Sequence, residues 1–156
     1  MSHMRWVVLA VFAAGCMTRE TRDELEGPEP FSVQATKGAA IFAANCAECH
    51  GAGGEGTTKA PRLVGMSEGA LPLDPPMERK KRLMQFRTAA DIARFVTVNM
   101  PGDDPGSLSE ADYFRVLAFA LQANGIELQN QHLDMQLAES IVIPREGAPG
   151  MPVSRR

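Results

Sequence analysis

The sequence predicts an all-α domain, on three observations. Apolar residues recur at three- and four-residue spacing in three separate stretches, at 35–50, 88–100 and 108–124. Two of these stretches open on helix-capping residues, Thr88 with Asp91 and Ser107 with Glu110. No strand pattern recurs along the chain, and no internal repeat is visible.

A length of 156 residues suits one domain with tails. The 44% hydrophobic and 22% charged composition is that of a globular chain, and 14 glycines with 11 prolines leave ample loop. A net charge of −3 provides no basic face to neutralise phosphates, so nucleic acid is excluded as a partner.

The N-terminus carries Arg5 and then an apolar run from Trp6 to Ala14. That run is far shorter than the ~20 residues a membrane span requires, so 1–15 reads as an export signal. It ends in Ala13-Ala14-Gly15-Cys16, which resembles the lipobox of bacterial lipoproteins, with Ala13 where leucine is usual. The resemblance implies lipidation of Cys16 and a lipid anchor on the periplasmic side of a bacterial membrane. Met17 rather than Asp after the cysteine favours the outer membrane. Cleavage as a plain signal and retention as a short anchor are the other readings.

Residues 17–34 are polar and acidic with Pro28 and Pro30, as in a solvated tether reaching roughly 23 Å. The folded domain is expected over 35–125. Its first helix, 35–50, places Ala35, Gly38, Ala39, Phe42 and Ala43 on one face. A glycine there costs ~1 kcal/mol relative to alanine, so Gly38 implies close approach of another backbone. A Gly-rich loop follows at 51–62. In 64–87, Pro72, Pro75 and Pro76 prevent a continuous helix and leave a short one at Met77–Phe86.

Thr88 and Asp91 start the next helix, whose stripe is Ile92, Phe95 and Val96 and whose end is set by Pro101. After a Gly-Asp-Asp-Pro-Gly turn comes the strongest helix, 108–124. It is capped by Ser107 with Glu110, or one turn shifted by Ser109 with Asp112. Tyr113, Phe114, Leu117, Ala118 and Leu121 face inward with Phe119 beside them, and Asn124-Gly125 closes it. Residues 126–156 read as a partly mobile extension with a short helix near 134–140.

The chemistry centres on Cys46-Ala47-Glu48-Cys49-His50. Two thiols three positions apart can each add to one vinyl group of a haem, with the adjacent imidazole as axial ligand, so the run reads as a covalent c-type haem site. The chain has three cysteines, and lipidation of Cys16 would account for the odd one. The best candidate for the second axial position is Met100, because Pro101 after it forces an extended conformation that can aim the thioether inward. Met66, Met77, Met84 and His132 are the remaining candidates.

Competing motifs lack their context. Thioredoxin-like chemistry needs a βαβ setting. Zinc needs about four ligands, and outside the run only His3, His132 and Cys16 are present. Gly51-Ala-Gly-Gly-Glu-Gly56 matches a dinucleotide fingerprint but follows no strand. Arg79-Lys80-Lys81-Arg82 reads first as a solvated helix face and second as a docking patch for an acidic redox partner.

The order of helix, C-x-x-C-H-G, Ala60-Pro61-Arg62-Leu63, Met-Pro and a closing helix ending in Asn-Gly resembles a class I cytochrome c over about residues 35–125. The resemblance implies three to five helices wrapped around one covalently bound haem c. It gives His50 and Met100 as axial ligands, Pro61 as acceptor of the free imidazole N–H, and Leu63 as packing on the porphyrin. Phe42, Phe95 and Phe119 would bury the haem as well, with Gly38 and Phe42 on the first helix meeting Phe119 on the last. The implied function is single-electron transfer between extracytoplasmic redox proteins, with no small-molecule substrate and no enzymatic activity. The alternatives are a haem subunit of a larger membrane oxidoreductase, or a haem sensor or weak peroxidase if Met100 does not ligate.

Overall fold

The computed structural model describes residues 27–65 and 86–143. Among them are five helices: α1 Phe31–Asn45, α2 Ala47–His50, α3 Ala89–Asn99, α4 Glu110–Ala123 and α5 Met135–Ser140. Extended pairing among the described residues amounts to an isolated antiparallel bridge between Thr88 and Val142. The fold is the all-α one expected. The export signal, Cys16, the short helix at 77–86 up to its last residue, and the basic run 79–82 lie outside the described residues.

The first helix begins at Phe31 instead of Ala35, so four residues assigned to the tether are helical. Pro30 is its N-cap in an extended conformation, a position where the missing N–H costs no helix bond. Phe31 is fully buried, and so is Gln34. A glutamine reads as solvated from sequence, but this one pairs with both main-chain groups of Leu133. Its Nε2 donates to the Leu133 carbonyl at 3.0 Å, and the Leu133 N–H donates to its Oε1 at 2.7 Å. The helix also breaks at Cys46, so 35–50 is two helices and not one.

Crossing of α1 on α4 is the largest helix contact. A Cβ on Gly38 would stand 1.8 Å from the Arg115 carbonyl oxygen, so the two backbones touch there. The close approach expected of Gly38 is real, but its partner is the main chain of Arg115 and not Phe119. Phe42 meets Phe119, with ring centroids 5.0 Å apart. Ala43, expected on the inward face, is exposed; Phe31 and Gln34 extend that face instead.

Thr88 and Asp91 form the capping box of α3. The Asp91 N–H donates to the Thr88 hydroxyl, and Asp91 Oδ2 accepts from the N–H groups of Thr88 and Arg87. Those two donors favour the ionised form and hold the Asp91 carboxyl below its usual value. On α4 the realised cap is Ser109, whose hydroxyl accepts from the Asp112 N–H at 3.2 Å, so the helix starts at Glu110.

The expected boundary at 125 also moves outward. Leu133, Ala138 and Ile143 are fully buried in the cluster that holds Phe31, Ala35, Leu117 and Leu121. Residues 126–143 run as a strap over the domain. The strap is tied to the start of α1, where the Phe31 N–H donates to the Gln131 carbonyl and His132 Nδ1 to the Glu29 carbonyl. After α5 it is tied to the start of α3, where the Ile143 N–H donates to the Arg87 carbonyl and the Ala89 N–H to the Ile141 carbonyl. The short helix expected near 134–140 is α5, but the burial of Leu133 and Ile143 in the loops beside it cannot be read from periodicity.

Candidate functional site

A cavity of about 370 Å³ opens between α1, α2, α3 and α4, within the size range of cofactor pockets. Cys46, Cys49, His50, Pro61, Leu63 and Met100 all border it. The structure thus brings these six candidates together from three parts of the chain.

His50 ends α2 and is buried at 8% exposure. Its Nδ1 donates to the Pro61 carbonyl at 2.8 Å, which fixes the tautomer and leaves the lone pair on Nε2. The intervening loop has to double back to make that contact. Gly56 permits it: φ is +84°, and a Cβ there would lie 2.6 Å from the Arg62 nitrogen. Its N–H donates to the His50 carbonyl at 2.6 Å, and the Thr57 hydroxyl donates to the Cys49 carbonyl.

Asn124 pins the far side of this loop. Its Nδ2 donates to the Leu63 carbonyl at 2.9 Å and to the Ala120 carbonyl at 2.7 Å, and its Oδ1 accepts from the Gly65 N–H at 2.9 Å. Sequence reasoning used Asn124 only as a helix terminator. Its amide also sets where Leu63 enters the cavity.

Met100 follows α3 with φ −128° and ψ 153°, the extended conformation that Pro101 requires. Its N–H still bonds the Val96 carbonyl at 3.0 Å, so the helix end aims it. Its carbonyl accepts from the Tyr113 hydroxyl at 2.6 Å, a bond no sequence signal foretold.

No disulfide joins Cys46 and Cys49, the first half-buried and the second exposed. Burial, with a smaller contribution from Cys49, pushes the Cys46 thiol up to about 11. The Lys59 ammonium meets the Glu48 carboxylate at the rim, 2.6 Å apart and largely solvated, which adds little stability.

Most of the remaining wall is apolar, with Phe42, Phe86, Ile92, Phe95 and Val96 in it, and Asn45, Asp103 and Tyr113 add polar groups. Phe86 meets Phe95 edge-on at 5.2 Å. Phe119, expected against the haem, stands beside Phe42, and the cavity lining does not include it. His132 does not border the cavity either, and its ring is committed to Glu29. Met66, Met77 and Met84 lie outside the described residues.

Two thiols, an imidazole with one nitrogen committed to a carbonyl, a thioether and aromatic walls are the donor set that haem c takes. The fold and this site define a c-type cytochrome, an electron-transfer protein whose covalently bound cofactor is haem c. Residues 33–119 match the family described as cytochrome c oxidase, cbb3-type, subunit III, and the chain belongs to that family. Among solved structures it is similar to a chain of the sulfane dehydrogenase SoxCD from Paracoccus pantotrophus. The identity is 26% and the TM-score 0.53, over 70% of this chain and 53% of that one. The chain therefore spans about half the length of that relative. Comparison with curated proteins finds no match.

Proposed function

We propose that this chain is a monohaem electron carrier in which Cys46 and Cys49 hold the haem and His50 and Met100 are its axial ligands. The observation that carries this reading is the His50 Nδ1 bond to the Pro61 carbonyl on the cavity that Met100 also borders. Bound haem supplies one-electron chemistry, Fe(III) plus one electron giving Fe(II), between a donor protein and an acceptor protein.

The chain's own residues set the terms of that exchange. The Pro61 carbonyl orients the imidazole. The Met100 thioether is a soft donor that favours the ferrous state and raises the potential. Phe42, Phe86 and Phe95 keep water from the site, which disfavours the more highly charged ferric state in the same direction. His50 and Met100 together would leave a bound haem no open position for a substrate, which favours a carrier over an enzyme.

Optical spectra of the haem-loaded protein test this. The oxidised form should show a methionine-to-iron charge-transfer band that Met100→Ala abolishes and Met77→Ala and Met84→Ala retain. Rapid, tight binding of carbon monoxide by the reduced wild type without denaturant would overturn the Met100 assignment and favour a sensor or weak peroxidase. The names of the family and of the SoxCD relative favour a second reading, a haem subunit within a larger oxidoreductase. Copurification in a stable complex with a catalytic subunit would establish it.

We place the carrier on the periplasmic side of a bacterial membrane, held by lipid on Cys16 after removal of 1–15. The support is Ala13-Ala14-Gly15-Cys16 behind a short apolar run, with an acidic stretch beyond it. Cys16→Ser should release the protein from the membrane fraction and abolish labelling by a radioactive fatty acid. Unchanged membrane association without lipid label would reject the anchor.

A further inference from the structure

Tyr113 is the chain's one tyrosine, buried at 5% exposure in α4 and bordering the cavity. Its hydroxyl donates to the Met100 carbonyl at 2.6 Å. The Gly106 N–H reaches the same carbonyl at 3.3 Å, and the Met100 N–H bonds Val96 at 3.0 Å. Within the turn, the Asp104 N–H donates to Pro101 and the Ser107 N–H to Asp104. All these main-chain bonds are local in sequence. The Tyr113 hydroxyl ties the methionine loop to a different helix.

We propose that Tyr113 is a positioning residue for Met100, its hydroxyl latching the methionine loop to α4 and setting how readily Met100 yields its place to an outside ligand. The inference rests on Met100 being an axial ligand. For the thioether to leave, the loop that carries it has to shift away from α4. A short, partly buried hydroxyl–carbonyl bond opposes that shift. Without the hydroxyl, the Met100 carbonyl keeps only the longer Gly106 bond. The phenyl ring of a Tyr113→Phe variant still fills the buried site, so the latch can be removed without removing the packing.

The test uses the haem-loaded, oxidised protein titrated with imidazole, followed by loss of the methionine-to-iron band. Tyr113→Phe should bind imidazole roughly threefold to tenfold tighter than wild type, the range that the net worth of one hydrogen bond allows. Amide hydrogen exchange at Gly106 and Ser107 should quicken in the same variant, a readout independent of the iron. Leu133→Val, a core truncation against the start of α1, should lower global stability and leave imidazole affinity unchanged. An affinity in Tyr113→Phe equal to wild type, or raised equally by Leu133→Val, sinks the latch. If wild type lacks the band, or Met100→Ala keeps it, the ligand assignment fails and the latch with it. A normal band with unmoved affinity overturns the latch alone.

Discussion

Gly38→Ala should destabilise the haem-loaded protein by about 3 kcal/mol, and Gly38→Val should prevent folding. On an exposed helix the alanine would stabilise by ~1 kcal/mol, because glycine gives up more backbone entropy on folding. Here the added Cβ falls 1.8 Å from the Arg115 carbonyl oxygen and 2.4 Å from its carbon. Backbone cannot swing aside as a side chain can, so α1 and α4 must separate. Overpacking typically costs 1–3 kcal/mol, and a clash of main chain in the largest helix interface belongs at the top of that range. Denaturant unfolding measures it. A Gly38→Ala protein as stable as wild type would contradict the crossing.

Leu133→Ala should cost about 2–5 kcal/mol, the range for emptying a fully buried leucine site. Leu133 is fully buried among Phe31, Ala138 and their neighbours, and its main chain is held by Gln34 on both sides. A loosely attached tail would tolerate the change at almost no cost. Thermal unfolding distinguishes the two, and a loss below about 0.5 kcal/mol would show that the strap contributes nothing to the core.

The candidate haem-binding residues and the central helices were legible because each is marked locally. Cys46, Cys49 and His50 fall within five residues, Met100 is marked by the proline after it, and the Thr88–Asp91 box spans four residues. What escaped was set by partners far away in sequence. Gln34 looked like tether because nothing nearby shows that Leu133 will satisfy its amide. Asn124 marked a helix end, but its grip on Leu63 and Gly65 crosses some sixty residues. Tyr113 was read as core through its ring, while its hydroxyl is defined by where Met100 arrives. In the strap the short helix α5 was legible, but Leu133 and Ile143 are buried from the loops on either side of it, which carry no period.

The pairing of α1 with α4 and the strap has a consequence for the order in which the chain is completed. Phe31, Gln34, Ala35 and Gly38 find their partners only at Arg115–Leu133, about eighty to a hundred residues later. Isolated helices of this length are marginal in water, so α1 gains little stability before those partners exist. While the chain is being made, Cys46 and Cys49 therefore lie on an open segment that any attaching machinery can reach. Residues 115–143 then supply the partners that hold α1 in place, so the segment that carries the two thiols is fixed only after the chain beyond it has been made.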